Sequence, residues 1–136
     1  MANLIEGIFT HRTLTTQLDF VRLSREGISM QTLNTMLTML SVSMKELANM
    51  LPVSERQLNR YPATHKLRKD LSSHLLQLVT LFQRGYDVFG KEKFDRWIRT
   101  EVQSLSNQRP IDLLDTPIGI QMVEDLIGQI EYGIYS

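Results

Sequence analysis

Apolar residues recur at three- and four-residue spacing along almost the whole chain, which is the pattern of amphipathic helices. Over 14–25, Leu14, Leu18, Val21 and Leu23 fall near one stripe, and Gly27 follows as a natural stop. Ser29 is placed to cap a second helix carrying Leu33, Met36, Leu37 and Leu40. A longer helix is predicted over 65–84, with Leu67, Leu71, Leu75, Leu78, Val79 and Phe82 as its apolar face. Gly85 closes it, and GYDVFG over 85–90 reads as a turn between helices. Another helix over 91–102 centres on Phe94, Trp97 and Ile98, and the polar stretch 104–108 is loop-like. The last helix begins after Thr116 with Pro117 at its first position, and buries Ile120, Val123, Leu126 and Ile130. No segment alternates with the period of a strand, so the fold class is all-α.

The stretch 43–61, SMKELANMLPVSERQLNRY, is the most informative part of this pattern. Ser43 with Glu46, and Ser54 with Gln57, each fit the S-x-x-E/Q capping box, in which two side chains satisfy orphan backbone donors at a helix start. Two caps this close leave room for a short helix and a tight turn. Leu47, Leu51, Val53, Leu58 and Tyr61 form the expected buried seam, and Ala48 allows the helices to approach where they cross. This is a helix-turn-helix pattern, and in DNA-binding units the second helix enters the major groove. Its outward residues are Glu55, Arg56, Gln57, Asn59 and Arg60, with Ser54 at the cap and Lys45 on the first helix. Arg reads guanine, and Asn or Gln reads adenine, through paired hydrogen bonds. The local pattern alone fits equally a pair of capped helices whose polar face is only solvated. Pro52 stands in the turn, where a small residue is usual.

Charge refines the picture. The formal net charge of the 136 residues is zero, which argues against binding nucleic acid by bulk charge. Between Lys45 and Asp70, however, six Lys or Arg stand against three acids. After Arg109 there is no Lys or Arg, while Asp112, Asp115, Glu124, Asp125 and Glu131 are all negative. The basic segment suits phosphates, and the acidic one suits a protein partner. The start of the chain lacks the basic and apolar regions of a signal peptide. No window approaches the length of a membrane span. The expected setting is cytoplasmic, with no membrane association.

Candidate chemistry is sparse. With no cysteine, neither a disulfide framework nor a thiolate metal site exists. His11, His65 and His74 lack the i, i+4 spacing of a helical zinc pair, so no metal site is expected. No phosphate-cradling glycine loop or nucleophile elbow is present. Asp112 and Asp115 read as helix-entry residues rather than an acid–base pair. The expectation is a protein without catalytic residues or cofactor.

The C-terminal third resembles a known family. Trp97 in FDRWI, then Pro110, Asp112, Leu113, Leu114 and Thr116 in a P-x-D-L-L-x-T segment, then Gly119, Val123, Leu126 and Gly133, are similar to the C-terminal domain of the Xre/MbcA/ParS antitoxins. The upstream half agrees, because these antitoxins carry an Xre-like helix-turn-helix before that domain. Two departures are Pro52 and the loop SLSNQRP, which lacks the glycine pair common before the proline. Most motif residues have a structural reading. Arg109 and Pro110 stiffen the loop end, Leu113 and Leu114 plug the gap beneath a buried Trp97, and Thr116 with Pro117 starts the last helix.

The resemblance implies two parts, a helix-turn-helix DNA-binding part over 1–64 continuous with a C-terminal toxin-binding domain over 65–136. It implies neutralisation of a RES-domain toxin that consumes NAD, by occlusion of the toxin's active site, together with repression of the antitoxin's own operon. The implied partners are that toxin, double-stranded operator DNA and a second copy in a homodimer. The residues expected to meet the toxin are Glu131, Tyr132, Gly133, Ile134, Tyr135 and Ser136, since aromatic anchors at a chain end are an interface device. The alternative is a stand-alone helix-turn-helix transcriptional regulator whose C-terminal domain only dimerises. A third reading is a protein adaptor that no longer binds DNA.

Overall fold

The computed structural model describes residues 3–10 and 14–133, and among them eight α-helices and two short 3-10 turns carry the regular structure. The helices are α1 (Leu4–Ile8), α2 (Gln17–Glu26), α3 (Met30–Leu40), α4 (Met44–Asn49), α5 (Glu55–Arg60), α6 (Lys69–Phe89), α7 (Lys91–Trp97) and α8 (Pro117–Glu131). The expected all-α class holds. Two isolated bridges, Ser29 with Lys66 and Val102 with Gln108, merely clip loops together.

The chain wraps around α6. Its Leu71, Leu75, Leu78, Val79, Leu81 and Phe82 are all nearly or fully buried, because the helix is covered on several sides at once. α2 and α8 pack along it, α7 folds back on its last turns, and α1 and α3 close the remaining side. Buried polar groups are paired. The Ser72 hydroxyl donates to Leu67 O and accepts from Ile28 N, fixing the entry of α6 against the end of α2. His74 Nε2 donates to Leu114 O at 2.8 Å and ties α6 to the Pro110–Leu113 turn.

Several sequence expectations need correction. α6 does not stop at Gly85 but runs on to Phe89, so residues 85–89 are helix rather than turn. Gly85 is a close-approach position: a Cβ there would overlap the ring of Phe94 on α7. The helix expected from 65 begins only at Lys69, because His65 and Ala63 offer their carbonyls to the first turn of α3. α2 begins at Gln17, capped by a full box between Thr16 and Asp19. It turns Leu23 inward and leaves Leu18 and Val21 exposed. α7 ends at Trp97, and the expected loop contains a 3-10 turn at Gln103–Leu105. Ile130 is half-buried rather than core. Trp97 is also only half-buried. It stacks on Phe89 and on Phe94, whose ring is the fully buried one.

Candidate functional site

The two short helices form as their caps predict. Ser43 Oγ accepts from Glu46 N at 3.0 Å, and Glu46 Oε1 accepts from Ser43 N at 3.1 Å, completing the first box. The second is half a box. Ser54 Oγ accepts from Gln57 N at 3.1 Å, but the Gln57 amide runs forward to the Tyr61 hydroxyl at 2.9 Å. Tyr61 is held there by stacking on His65, with ring centroids 3.8 Å apart, so it is half-buried rather than core. Leu47, Met50, Leu51, Val53 and Leu58 make the seam, and Pro52 is accommodated in an exposed turn. Met50, three residues after Leu47 at the C-cap of α4, joins the seam outside the expected set.

With Leu58 pointing inward, Glu55, Arg56, Gln57, Asn59 and Arg60 are all exposed on α5, and Lys45 is exposed on α4. The helix places Arg56 and Arg60 on one side and Glu55 and Asn59 on another. Gln57 is the member of this set whose side chain is already engaged.

A polar hub missed by sequence reasoning anchors this unit. Arg99, beyond the end of α7, donates through Nε and Nη2 to the two oxygens of Glu46, at 2.9 and 3.1 Å. Its Nη2 also reaches Ser41 O, and its Nη1 reaches Asp95 O. These bonds hold the Glu46 carboxyl below its ordinary range and raise the guanidinium. Beside it, Lys91 Nζ donates to Ser41 Oγ at 2.7 Å and to Asp95 Oδ2 at 3.0 Å. The Tyr86 hydroxyl lies 3.0 Å from Asp95 Oδ1, and burial pushes its pKa up.

In the C-terminal third, the P-x-D-L-L-x-T residues are joints of the fold. Arg109 grips Asp112 with two hydrogen bonds of 2.9 and 2.8 Å, which holds that carboxyl below its ordinary range. Leu114 is fully buried and Leu113 half-buried. Thr116 Oγ1 caps α8 by accepting from Gly119 N at 3.0 Å. A Cβ at Gly119 would overlap the Leu113 carbonyl oxygen, so the motif's glycine is required where α8 meets the turn before it.

The exposed face of α8 is different in kind. Ile118, 76% exposed, and Met122, 46% exposed, lie one turn apart, and Tyr132, 75% exposed, stands at the far end. Glu131 forms an ion pair with Arg84 at 3.1 Å, and Gly133 is exposed with a φ of 68°. Ile134, Tyr135 and Ser136 lie outside the described residues. Ile118 and Met122 were not expected at an interface. Their spacing on the side of α8 opposite Ile120 and Val123 is the signal that marks them. Among the described residues no cluster of three His, Asp or Glu side chains is arranged to hold a metal, and no helix is long and apolar enough to cross a membrane.

Comparison with known proteins places this geometry. Residues 84–133 match the family described as the antitoxin Xre/MbcA/ParS C-terminal toxin-binding domain. An antitoxin Xre of Yersinia enterocolitica is 28% identical over 114 residues, covering 81% of this chain and 76% of that protein. An antitoxin Xre of Photorhabdus laumondii is 33% identical over 73 residues, covering 52% of this chain and 49% of its own length. The fold is shared with a chain in the crystal structure of the M. tuberculosis MbcT–MbcA toxin–antitoxin complex. That match has a TM-score of 0.58 at 19% identity and covers 74% of this chain and 90% of that one. Motif, fold and relatives agree: residues 84–133 carry the pattern of the Xre/MbcA/ParS C-terminal toxin-binding domain, and the chain is similar to antitoxins named Xre.

Proposed function

We propose that this chain neutralises a cognate RES-domain, NAD-consuming toxin by occluding its active site, and represses its own operon through the helix-turn-helix. In this reading residues 1–64 read operator DNA, residues 65–136 bind the toxin, and two copies act together on double-stranded DNA. The chain itself performs no catalysis. The observation that carries the toxin-binding half is the outer face of α8, where Ile118, Met122 and Tyr132 stand exposed within the stretch that matches a toxin-binding domain. Exposed apolar side chains grouped in this way favour a partner over solvent.

Charge supports the choice of partner. A toxin that grips the phosphates of NAD presents Arg or Lys, because guanidinium groups suit paired phosphate contacts. Among charged side chains the last part of this chain offers only carboxylates after Arg109, with Asp115 just before α8 and Asp125 on it. Glu131 joins them once a toxin cation competes with Arg84 for it, and Tyr132 supplies an apolar anchor. The proposed toxin contacts also include Gly133 and, outside the described residues, Ile134, Tyr135 and Ser136. For the DNA-reading half, support comes from the outward set Arg56, Asn59 and Arg60 on a capped α5, with Lys45 and Ser54 beside the phosphates.

The test is co-expression with the RES-domain protein of a neighbouring reading frame, scored by growth and cellular NAD. The wild-type chain should protect cells. Ile118→Asp with Met122→Asp should remain folded and bind operator DNA but fail to protect. A wild-type chain that binds operator DNA yet neither captures the toxin nor preserves NAD would leave the stand-alone regulator as the reading.

A further inference from the structure

α2 and α8 flank α6, and between them runs an open groove of about 810 Å³. Leu76 of α6 lies on its floor, Phe20 and Val21 on the α2 wall, and Ile120 on the α8 wall. Val21 in the lining is 41% exposed and Leu18, one turn before it on α2 and outside the lining, is 53% exposed, although their helical spacing is that of buried positions. Leaving both in water forgoes the burial that favours apolar side chains. Among the described residues nothing covers these two side chains.

Charge identifies the occupant. The groove carries Arg25 and Lys69 against Asp70 and Glu124, two of each sign. Asp70 is matched by Arg68, whereas Arg25, Lys69 and Glu124 have no ion-pair partner among the described residues. A groove for DNA would be cationic, and one for a cation-lined toxin cleft would be acidic, as the end of α8 is. A surface that leaves open charges of both signs, Arg25 and Lys69 beside Glu124, can pair with a copy of itself, which a two-fold interface requires because each contact occurs twice. Burial in the wall also holds the Glu124 carboxyl above its ordinary range, a cost that an incoming cation removes.

We infer that a second copy of this chain fills the groove, α2 of each copy lying against the floor of the other, with Arg25 of one facing Glu124 of its partner. This rests on the reading of the chain as a homodimer and adds where that dimer forms. It also keeps the outer face of α8, carrying Ile118 and Met122, available for the toxin.

Light scattering of the full chain at micromolar concentration tests it. The wild type should show twice the chain mass, and Leu18→Glu with Val21→Glu should halve it without loss of helicity, since both side chains are exposed. Arg25→Glu and Glu124→Arg should each weaken the dimer about tenfold, and the combined swap should restore it. Ile118→Asp with Met122→Asp should stay dimeric. A dimeric wild type whose groove variant is also dimeric overturns the groove assignment and leaves the dimer standing. A wild type of single-chain mass overturns both. Loss of toxin capture in the groove variant of such a monomeric chain would assign the groove to the toxin instead.

Discussion

Arg99 clasps both oxygens of Glu46 across 53 residues of sequence, joining the region that matches the toxin-binding family to the cap of α4. Glu46 thus serves twice, as the return arm of the Ser43 capping box and as the seat of a bidentate guanidinium. The two side chains are 26% and 33% exposed, so solvent screens the pair only in part.

Arg99→Ala should lower stability by about 1–3 kcal/mol at neutral pH, the range for hydrogen bonds to charged groups. Glu46 has a depressed carboxyl in the folded state. Its contribution is complete above the unfolded value of about 4.3 and is lost as pH falls through the lower folded value. Thermal melting should therefore separate wild type from Arg99→Ala at pH 7 and bring the two curves together in acid. A gap independent of pH would mean that Arg99 acts through Ser41 and Asp95 rather than Glu46.

Two glycines of α8 should respond in opposite ways to alanine. At Gly119 the new Cβ meets the Leu113 carbonyl, backbone that cannot step aside while Thr116 holds the cap, so the cost should reach about 3 kcal/mol. At Gly128 it meets only Arg84 Nη2 at 3.0 Å, the end of a long side chain that can move. Helix propensity then favours alanine by up to about 1 kcal/mol. Urea denaturation of the two variants reads the difference directly, and equal effects would contradict the close approach at Gly119.

Trp97 illustrates how burial changes an expectation. Read from sequence it is core, and its removal would cost about 3–5 kcal/mol. In the structure it is a half-buried lid stacked on Phe89, with Phe94 the enclosed ring beneath. Trp97→Ala should therefore destabilise less than Phe94→Ala, by about 1–2 kcal/mol. Chemical denaturation of both checks the order, and a greater loss at Trp97 would restore it to the core.

What was legible follows the range of the interaction. Ser29, Ser43, Ser54 and Thr116 act within one helical turn, and each caps the helix that its local sequence announces. Gly85 was misread because a helix stop and a contact point for another helix look alike without the partner, Phe94. Leu18 and Val21 carry the period of a buried face, but whether a face is covered depends on the packing of α6 and α8. The Gln57 amide had two partners within reach, and the stacking of Tyr61 on His65 sets the hydroxyl where it prevails. The Arg99 hub left no periodic trace at all, since it joins residues related only by the fold.

The proposed base-reading face makes the last prediction. Arg56 and Arg60 stand one turn apart on α5, both exposed, while Leu58 between them is fully buried. Truncating the two arginines should leave the melting temperature nearly unchanged, because neither packs inside. Each base-edge pair contributes about 1–3 kcal/mol of discrimination, so the double alanine variant should lose specific operator binding in a gel shift. A purely phosphate-contacting role would show itself differently, as uniform weakening across sequences with a shallower salt dependence. Asn59→Ala should then relax the choice at one position, whereas Gln57→Ala should do less, because the Gln57 amide is already held by Tyr61. Operator affinity unchanged in the double arginine variant would move the readout off α5.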